Sequence, residues 1–211
     1  MVKIDRFLYA VIFLKPLDNS FSSFSAIAKI KESFADDFEG IEPIQAYPAE
    51  LKNQIPPDAP RYILNSNHFN ITITGNRFDF NITSSDISFE AIKQKIERIQ
   101  EVMLEINLPQ FRVGAFFEGE IKEEEVRMII KDYVNFDKLS EMIEWQLSYR
   151  EVESVSSYSY NRWKRYFLLK GEKLVKYNYD VNNLNGITIK DIKENNSNIL
   201  KLVGDLIGAD E

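Results

Sequence analysis

The stretch FNITITGNRFDFNIT, residues 69–83, decides how the fold is read. Phe69, Ile71 and Ile73 alternate with Asn70, Thr72 and Thr74; Gly75-Asn76 intervenes; then Phe78, Phe80 and Ile82 alternate with Arg77, Asp79 and Asn81. A period of two is the mark of a strand with one buried face. A two-residue loop with glycine first predicts a hairpin closed by a type II′ turn. The turn then sets the pairing. Ile73 falls opposite Phe78, Ile71 opposite Phe80 and Phe69 opposite Ile82, so each apolar side chain meets another, and a slip of one residue would undo every match. Asn67-His68 supplies a preceding turn, which makes the unit a three-stranded meander.

Working towards the N-terminus, FLYAVIFL (residues 7–14) reads as a fully buried strand. SFSSFSAIAKIKESFADDF (residues 20–38) places Ile27, Ile30, Phe34 and Phe38 at helical spacing, with Ser23 or Ser25 as N-cap and the helix ending before Gly40. Prolines at 43, 48, 56, 57 and 60 bar a central strand from the next segment and leave IQAYP as at most a short edge strand. Towards the C-terminus, a helix starting near Ser85 or Asp86 carries Phe89, Ile92, Ile96, Ile99, Val102 or Met103, and Ile106 on one stripe, and Pro109 stops it.

The pattern then restarts. FRVGAFFEG (residues 111–119) reads as a strand, IKEEEVRMIIKDYV (residues 121–134) as a helix with Val126, Ile129, Ile130 and Tyr133 inward, and EMIEWQLSYREV (residues 141–152) as a strand with Ile143, Trp145, Leu147 and Tyr149 on one face. In YSYNRWKRYFLLKGEKLVK (residues 158–176), a turn at Gly171-Glu172 sets Leu168 opposite Val175, Tyr166 opposite Tyr177 and Lys164 opposite Tyr179. Ile189, Ile192, Ile199, Val203 and Leu206 predict a closing helix, with Asn195-Asn196 as a weak point in it.

These elements predict an α+β protein of two pseudo-repeated β-α-β(β)ββ-α halves, residues 1–107 and 108–211, forming one continuous domain or two, with antiparallel sheet covered on one face by long helices. The order of elements resembles the duplicated saddle of the TATA-binding-protein fold in architecture alone. No motif of that family is present, and a fold does not carry function.

Composition narrows the function. A chain of 211 residues with 44% hydrophobic residues, 15 Phe and 10 Tyr has ample material for a core. It has no cysteine, hence no disulfide, thiolate metal site or cysteine nucleophile, as suits a reducing compartment. The net charge of -7 argues against a general grip on nucleic acid. The apolar run at residues 7–14 imitates a signal peptide, but Lys15, Pro16 and Asp18 follow it where a small-residue region belongs, and it is too short to span a bilayer. A cytoplasmic protein without membrane contact is expected.

The hairpin register divides residues 158–181 into a core face with Tyr166, Leu168, Val175, Tyr177 and Val181, and a half-polar face with Trp163, Arg165, Phe167, Lys176, Asn178 and Asp180. Residues 158–177 hold six basic residues and one acidic, so the local field is positive. Trp163, Arg165 and Lys176, joined by Arg77 from the first hairpin, supply a stacking ring and cations for a protein partner or a small anionic or nucleotide ligand. Asp79 and Asp180 occupy the second strands of the two hairpins and are the carboxylates an acid–base enzyme would use. Two acidic clusters, Glu32/Asp36/Asp37/Glu39/Glu42 and Glu118/Glu120/Glu123/Glu124/Glu125, read as solvated helix ends, or as phosphate mimicry directed at a nucleic-acid-binding protein. His68, the only histidine, sits in a turn, and no phosphate loop, zinc motif or nucleophile elbow occurs. The expected function is non-catalytic binding of another protein or of a second copy, with no cofactor and no metal.

Overall fold

The computed structural model describes residues 3–15, 23–45, 54–84, 87–106, 110–131, 134–135, 138, 144–169 and 174–207. The strands are β1 (Lys3–Phe13), β2 (Ile44–Gln45), β3 (Tyr62–Asn65), β4 (Phe69–Ile73), β5 (Arg77–Thr83), β6 (Phe111–Lys122), β7 (Glu144–Val155), β8 (Tyr158–Leu169) and β9 (Leu174–Asn183). The helices are α1 (Ser23–Ser33), α2 (Ala35–Phe38), α3 (Phe89–Ile106), α4 (Glu123–Ile130) and α5 (Ile192–Ile207), the last entered through a 3-10 turn at Ile189–Asp191. The fold is mixed α+β. Among the described residues, nine strands join one antiparallel sheet in the order β2-β3-β4-β5-β1-β6-β9-β8-β7.

The hairpin at residues 69–83 has the register its alternation requires, with Phe69 opposite Ile82, Ile71 opposite Phe80 and Ile73 opposite Phe78. Its turn differs from the type II′ expectation, because Gly75 does not take a left-handed φ. The Thr74 hydroxyl accepts from the backbone N–H of Asn76 (3.0 Å) and Arg77 (2.9 Å) and so holds the loop. The site is close: a Cβ would lie 2.7 Å from the end of the Arg61 side chain, which can shift, and 3.1 Å from the Pro57 carbonyl oxygen, a tight contact with backbone.

The second hairpin pairs Tyr166 with Tyr177 and Lys164 with Tyr179. Its Gly171-Glu172 turn lies outside the described residues, as do Ile143, Tyr133 and the proposed caps Ser85 and Asp86. A further hairpin, β7–β8, turns at Ser156-Ser157, with Ser156 at φ 54°. No glycine marks it, which hides the turn from a sequence reading.

Phe7, Tyr9, Phe78, Phe80, Phe111, Phe117 and Tyr179 are fully buried on one face of the sheet, called the core face below. Phe7 and Phe117 bring β1 and β6 together at 5.2 Å between ring centroids. The helix expected over residues 20–38 is broken at Phe34, whose N–H still bonds Ile30 (3.1 Å). The break sends both Phe34 and Phe38 against Phe69, at 5.0 and 5.4 Å. On α3 the buried side chains are Ile92, Ile96, Ile99, Val102 and Met103, the predicted stripe. α3 packs on α1 and α5, and α5 on β6 and β9. In the fourth helix Val126 and Ile130 are buried, but Ile129 is exposed, and β6 runs on through Lys122, so the helix starts later than the sequence pattern predicts.

Asn195-Asn196 is a correction to the sequence reading. Both residues are buried, and both bond the sheet. The Asn195 carboxamide oxygen accepts from the Tyr160 hydroxyl (2.8 Å) and from Asn183, while its amide nitrogen donates to the Asp191 carbonyl (2.9 Å). Asn198 donates to the Tyr160 hydroxyl (3.1 Å), Tyr9 donates to Asn196, and Asn183 accepts from the backbone N–H of Val113 (3.0 Å). The pair thus links α5 to β1, β8 and β9, Asn195 through both ends of its carboxamide and Asn196 through its oxygen alone.

Burial of these rings has a consequence at high pH. It raises the Tyr160 and Tyr179 hydroxyls from 10.0 to about 12, and moves Tyr9, Tyr166 and Tyr177 upward too. Folding favours the neutral phenols, so their contribution is intact below the unfolded value near pH 10 and is lost as pH rises towards 12. Absorbance at 295 nm should show these five tyrosines ionising only well above pH 10, together with loss of fold. A single transition near pH 10 in the folded protein would contradict this.

Candidate functional site

In an antiparallel sheet, residues directly opposite one another share a face. Tracing the register from Asp79 leads through Ala10, Gly114 and Asn182 to Asn161. Arg77 lies beside Asp79 on this face, and Trp163, Arg165, Lys176 and Asp180 lie on it at the other end. All six predicted residues therefore project from the face opposite the core. They form two groups, because four strand steps separate β5 from β8, about 19 Å at the usual spacing.

The group on β8 and β9 is an aromatic ring among cations. The Arg150 and Arg165 guanidinium carbons lie 5.7 and 5.9 Å from the Trp163 ring centroid. Both contacts are within cation–π range. A polar ladder continues across three strands: Arg150 Nε donates to Asn161 Oδ1 (2.9 Å), Asn161 Nδ2 to Asn182 Oδ1 (3.2 Å), and Asn182 Nδ2 to Asp180 Oδ1 (3.0 Å). Asp180 is thereby turned to a structural task. Arg165 and Lys176 remain exposed.

Towards the sheet centre, Arg6 lies 5.8 Å from the Phe116 ring centroid, donates to Asn81 Oδ1 (2.9 Å) and stands 3.7 Å from Glu118. At the far group, Arg77 Nε donates to Asp79 Oδ1 (2.8 Å). Burial raises the Asp79 carboxyl above the ordinary range, with Arg77 opposing it. Asp79 and Asp180 stand on strands three steps apart, about 14 Å. A pair of carboxylates acting on one bond sits within about 5–9.5 Å.

Arg150, Arg6 and Phe116 are the residues of this face that sequence reasoning passed over. Arg150 was within reach, since alternation along EMIEWQLSYREV already puts it on the polar side. Its closeness to Trp163 follows only from the Ser156-Ser157 turn.

Two further cations of the aromatic-basic stretch face the core. Lys164 pairs with Glu151 (3.1 Å) and Arg162 with Glu153, and Arg162 Nε donates to the Tyr179 hydroxyl (3.0 Å). Burial, then the Arg162 charge, holds the Lys164 ammonium below its ordinary value. Of the six basic residues in 158–177, these two are spent internally, and Lys170 and Lys173 lie outside the described residues.

Both acidic clusters are partly engaged with the chain's own cations. Asp37 pairs with Lys95, Asp36 with Arg98 (3.2 Å), Glu42 with Lys31 (3.1 Å) and Glu123 with Arg127 (2.9 Å). His68 is exposed in the turn between β3 and β4. Among the described residues no group of three His, Asp or Glu side chains is placed to hold a metal ion, and no helix is long and apolar enough to cross a membrane. Comparison with models of known protein families and with curated proteins gives no match.

Proposed function

We propose that the chain is a non-catalytic binding protein that docks a protein partner on the face carrying Trp163. The carrying observation is the Trp163 ring with Arg150 and Arg165 beside it. Tryptophan and arginine dominate the residues that hold protein interfaces together, because they combine large contact area with directed polar groups. Arg165 and Lys176, exposed beside this ring, also suit a small anionic ligand, which is the second reading.

The proposal extends to the architecture and the compartment. Outward from β1 the neighbours are β5, β4 and β3; outward from β6 they are β9, β8 and β7. This order supports descent of residues 1–107 and 108–211 from one duplicated unit, with the long helices on the core side. The glycines are out of phase, however: the buried Ile73 lies two residues before Gly75, whereas the buried Leu168 lies three before Gly171. The absence of cysteine supports residence in the cytoplasm.

Affinity capture with wild type and with Trp163→Ala tests the docking reading. A partner held by wild type should bind the variant about 30-fold more weakly, the effect of losing a central anchor worth roughly 2 kcal/mol. Equal capture by both would end the proposal for this face. A rise in unfolding temperature with phosphate or nucleotides, abolished in Arg165→Ala, would favour the anion reading instead.

A further inference from the structure

The two ends of the sheet are guarded differently. At one end β2 is only two residues long, and Pro43 and Pro48 flank it closely in sequence. Short, proline-flanked edges resist pairing with other chains. At the other end β7 runs for 12 residues without a proline, and its register with β8 is unbroken from Glu144–Leu169 to Val155–Tyr158. Among the described residues no strand pairs with its outer edge.

The two-residue turn makes Val155 and Tyr158 a directly bonded pair, so the odd-numbered residues of β7 spend their backbone groups on β8. The even-numbered residues, Glu144 to Ser154, turn theirs to the free edge, and all six have exposed side chains. The strand is not uniform along its length. Glu151 and Glu153 point to the core face, where they meet Lys164 and Arg162, and inward-pointing charges protect an edge from apolar pairing. That guard covers residues 151–155. Residues 144–150 have none, and they carry Trp145, Leu147 and Tyr149 on the same side.

We infer that two copies of the chain pair through β7, antiparallel, over residues 144–150 with the two-fold axis at Leu147. In this register Glu144 of each copy stands opposite Arg150 of the other, twice per dimer. Gln146 stands opposite Ser148, Trp145 opposite Tyr149, and Leu147 opposite its own counterpart. Even residues meet even residues, which matches the outward-pointing backbone groups. Moving the axis to Tyr149 sets Glu151 against Leu147 and Glu153 against Trp145. Moving it to Arg150 or Glu151 sets like charges against each other. A contact of seven residues a side gives a weak, reversible dimer. The inference uses the sheet edge rather than the face carrying Trp163; Arg150 belongs to both, and Ser148→Pro and Trp163→Ala, which touch only one each, separate the two readings.

Sedimentation velocity over a range of concentrations tests it. Wild type should show a concentration-dependent monomer–dimer equilibrium. Ser148→Pro, which removes an outward N–H at an edge position where proline is tolerated, should be monomeric with an unchanged circular dichroism spectrum. Arg150→Glu should weaken the dimer roughly tenfold by setting like charges opposite each other, and Glu144→Arg combined with Arg150→Glu should restore it. Both of these variants lack Arg150, one of the two arginines beside Trp163, so their difference isolates the cross-edge pair. A monomeric wild type, a Ser148→Pro protein that still dimerises, or a charge swap without recovery would overturn the inference. Trp163→Ala should dimerise as wild type does; loss of the dimer there would move the interface to the sheet face.

Discussion

Asn195→Leu will destabilise the protein by about 3 kcal/mol, even though leucine is the better helix former by roughly 0.5 kcal/mol. The sign is what makes the experiment informative. If Asn195 were only a poor residue inside α5, its replacement would strengthen the helix. Instead its side chain accepts from both Tyr160 and Asn183 and donates to Asp191. Leucine would leave the Asn183 amide and the Tyr160 hydroxyl proton without that acceptor, in a site where Asn195 itself has no solvent exposure. Each stranded buried donor costs about 1–3 kcal/mol. The unfolding midpoint should fall by about 6–12 °C for a chain of this size. A variant as stable as wild type would show that the network contributes nothing net.

Gly119→Ala should cost about 3 kcal/mol as well, at the upper end of overpacking effects. Gly119 pairs with Ile4 on one side and Tyr177 on the other, next to the register shift between Ile4 and Arg6. A Cβ there would overlap the Lys3 carbonyl oxygen, with the Lys3 carbonyl carbon at 3.0 Å and the Ile4 Cα at 3.1 Å. All three are backbone atoms, so relief requires β1 to move away from β6 at the middle of the sheet. Ile4, only 2% exposed, would move with it. Gly186→Ala is the matched control: its nearest neighbour is the end of the exposed Leu14 side chain, which can swing aside. Chemical denaturation of the two variants should separate them by at least about 2 kcal/mol. Equal losses would mean that the β1–β6 contact is more compliant than its geometry indicates.

Much of the candidate site was legible. Strand alternation and the hairpin register put Trp163, Arg165, Lys176 and Asp180 on one side, and Arg77 and Asp79 on one side of their own hairpin; that the two sides coincide follows only from the pairing through β1, β6 and β9. Their division into two groups was not legible, because it depends on β1, β6 and β9 standing between them. Arg150 joins Trp163 through a turn of two serines, which carries no glycine or asparagine signal.

By itself the sequence determined the strands, the long helices and the register of both glycine hairpins. A strand with one buried face and a short loop has only one pairing that keeps apolar residues together, and that constraint is local. Only the tertiary structure decided the order of the strands, with β1 beside β6, and the roles of residues that serve distant partners. Gly75 answers to Pro57, Gly119 to Lys3, and Asn195 to Tyr160 and Asn183. Such contacts join positions far apart in the chain, and no periodicity records them; burial converts a helix-weakening asparagine into the group that fastens the helix to the sheet.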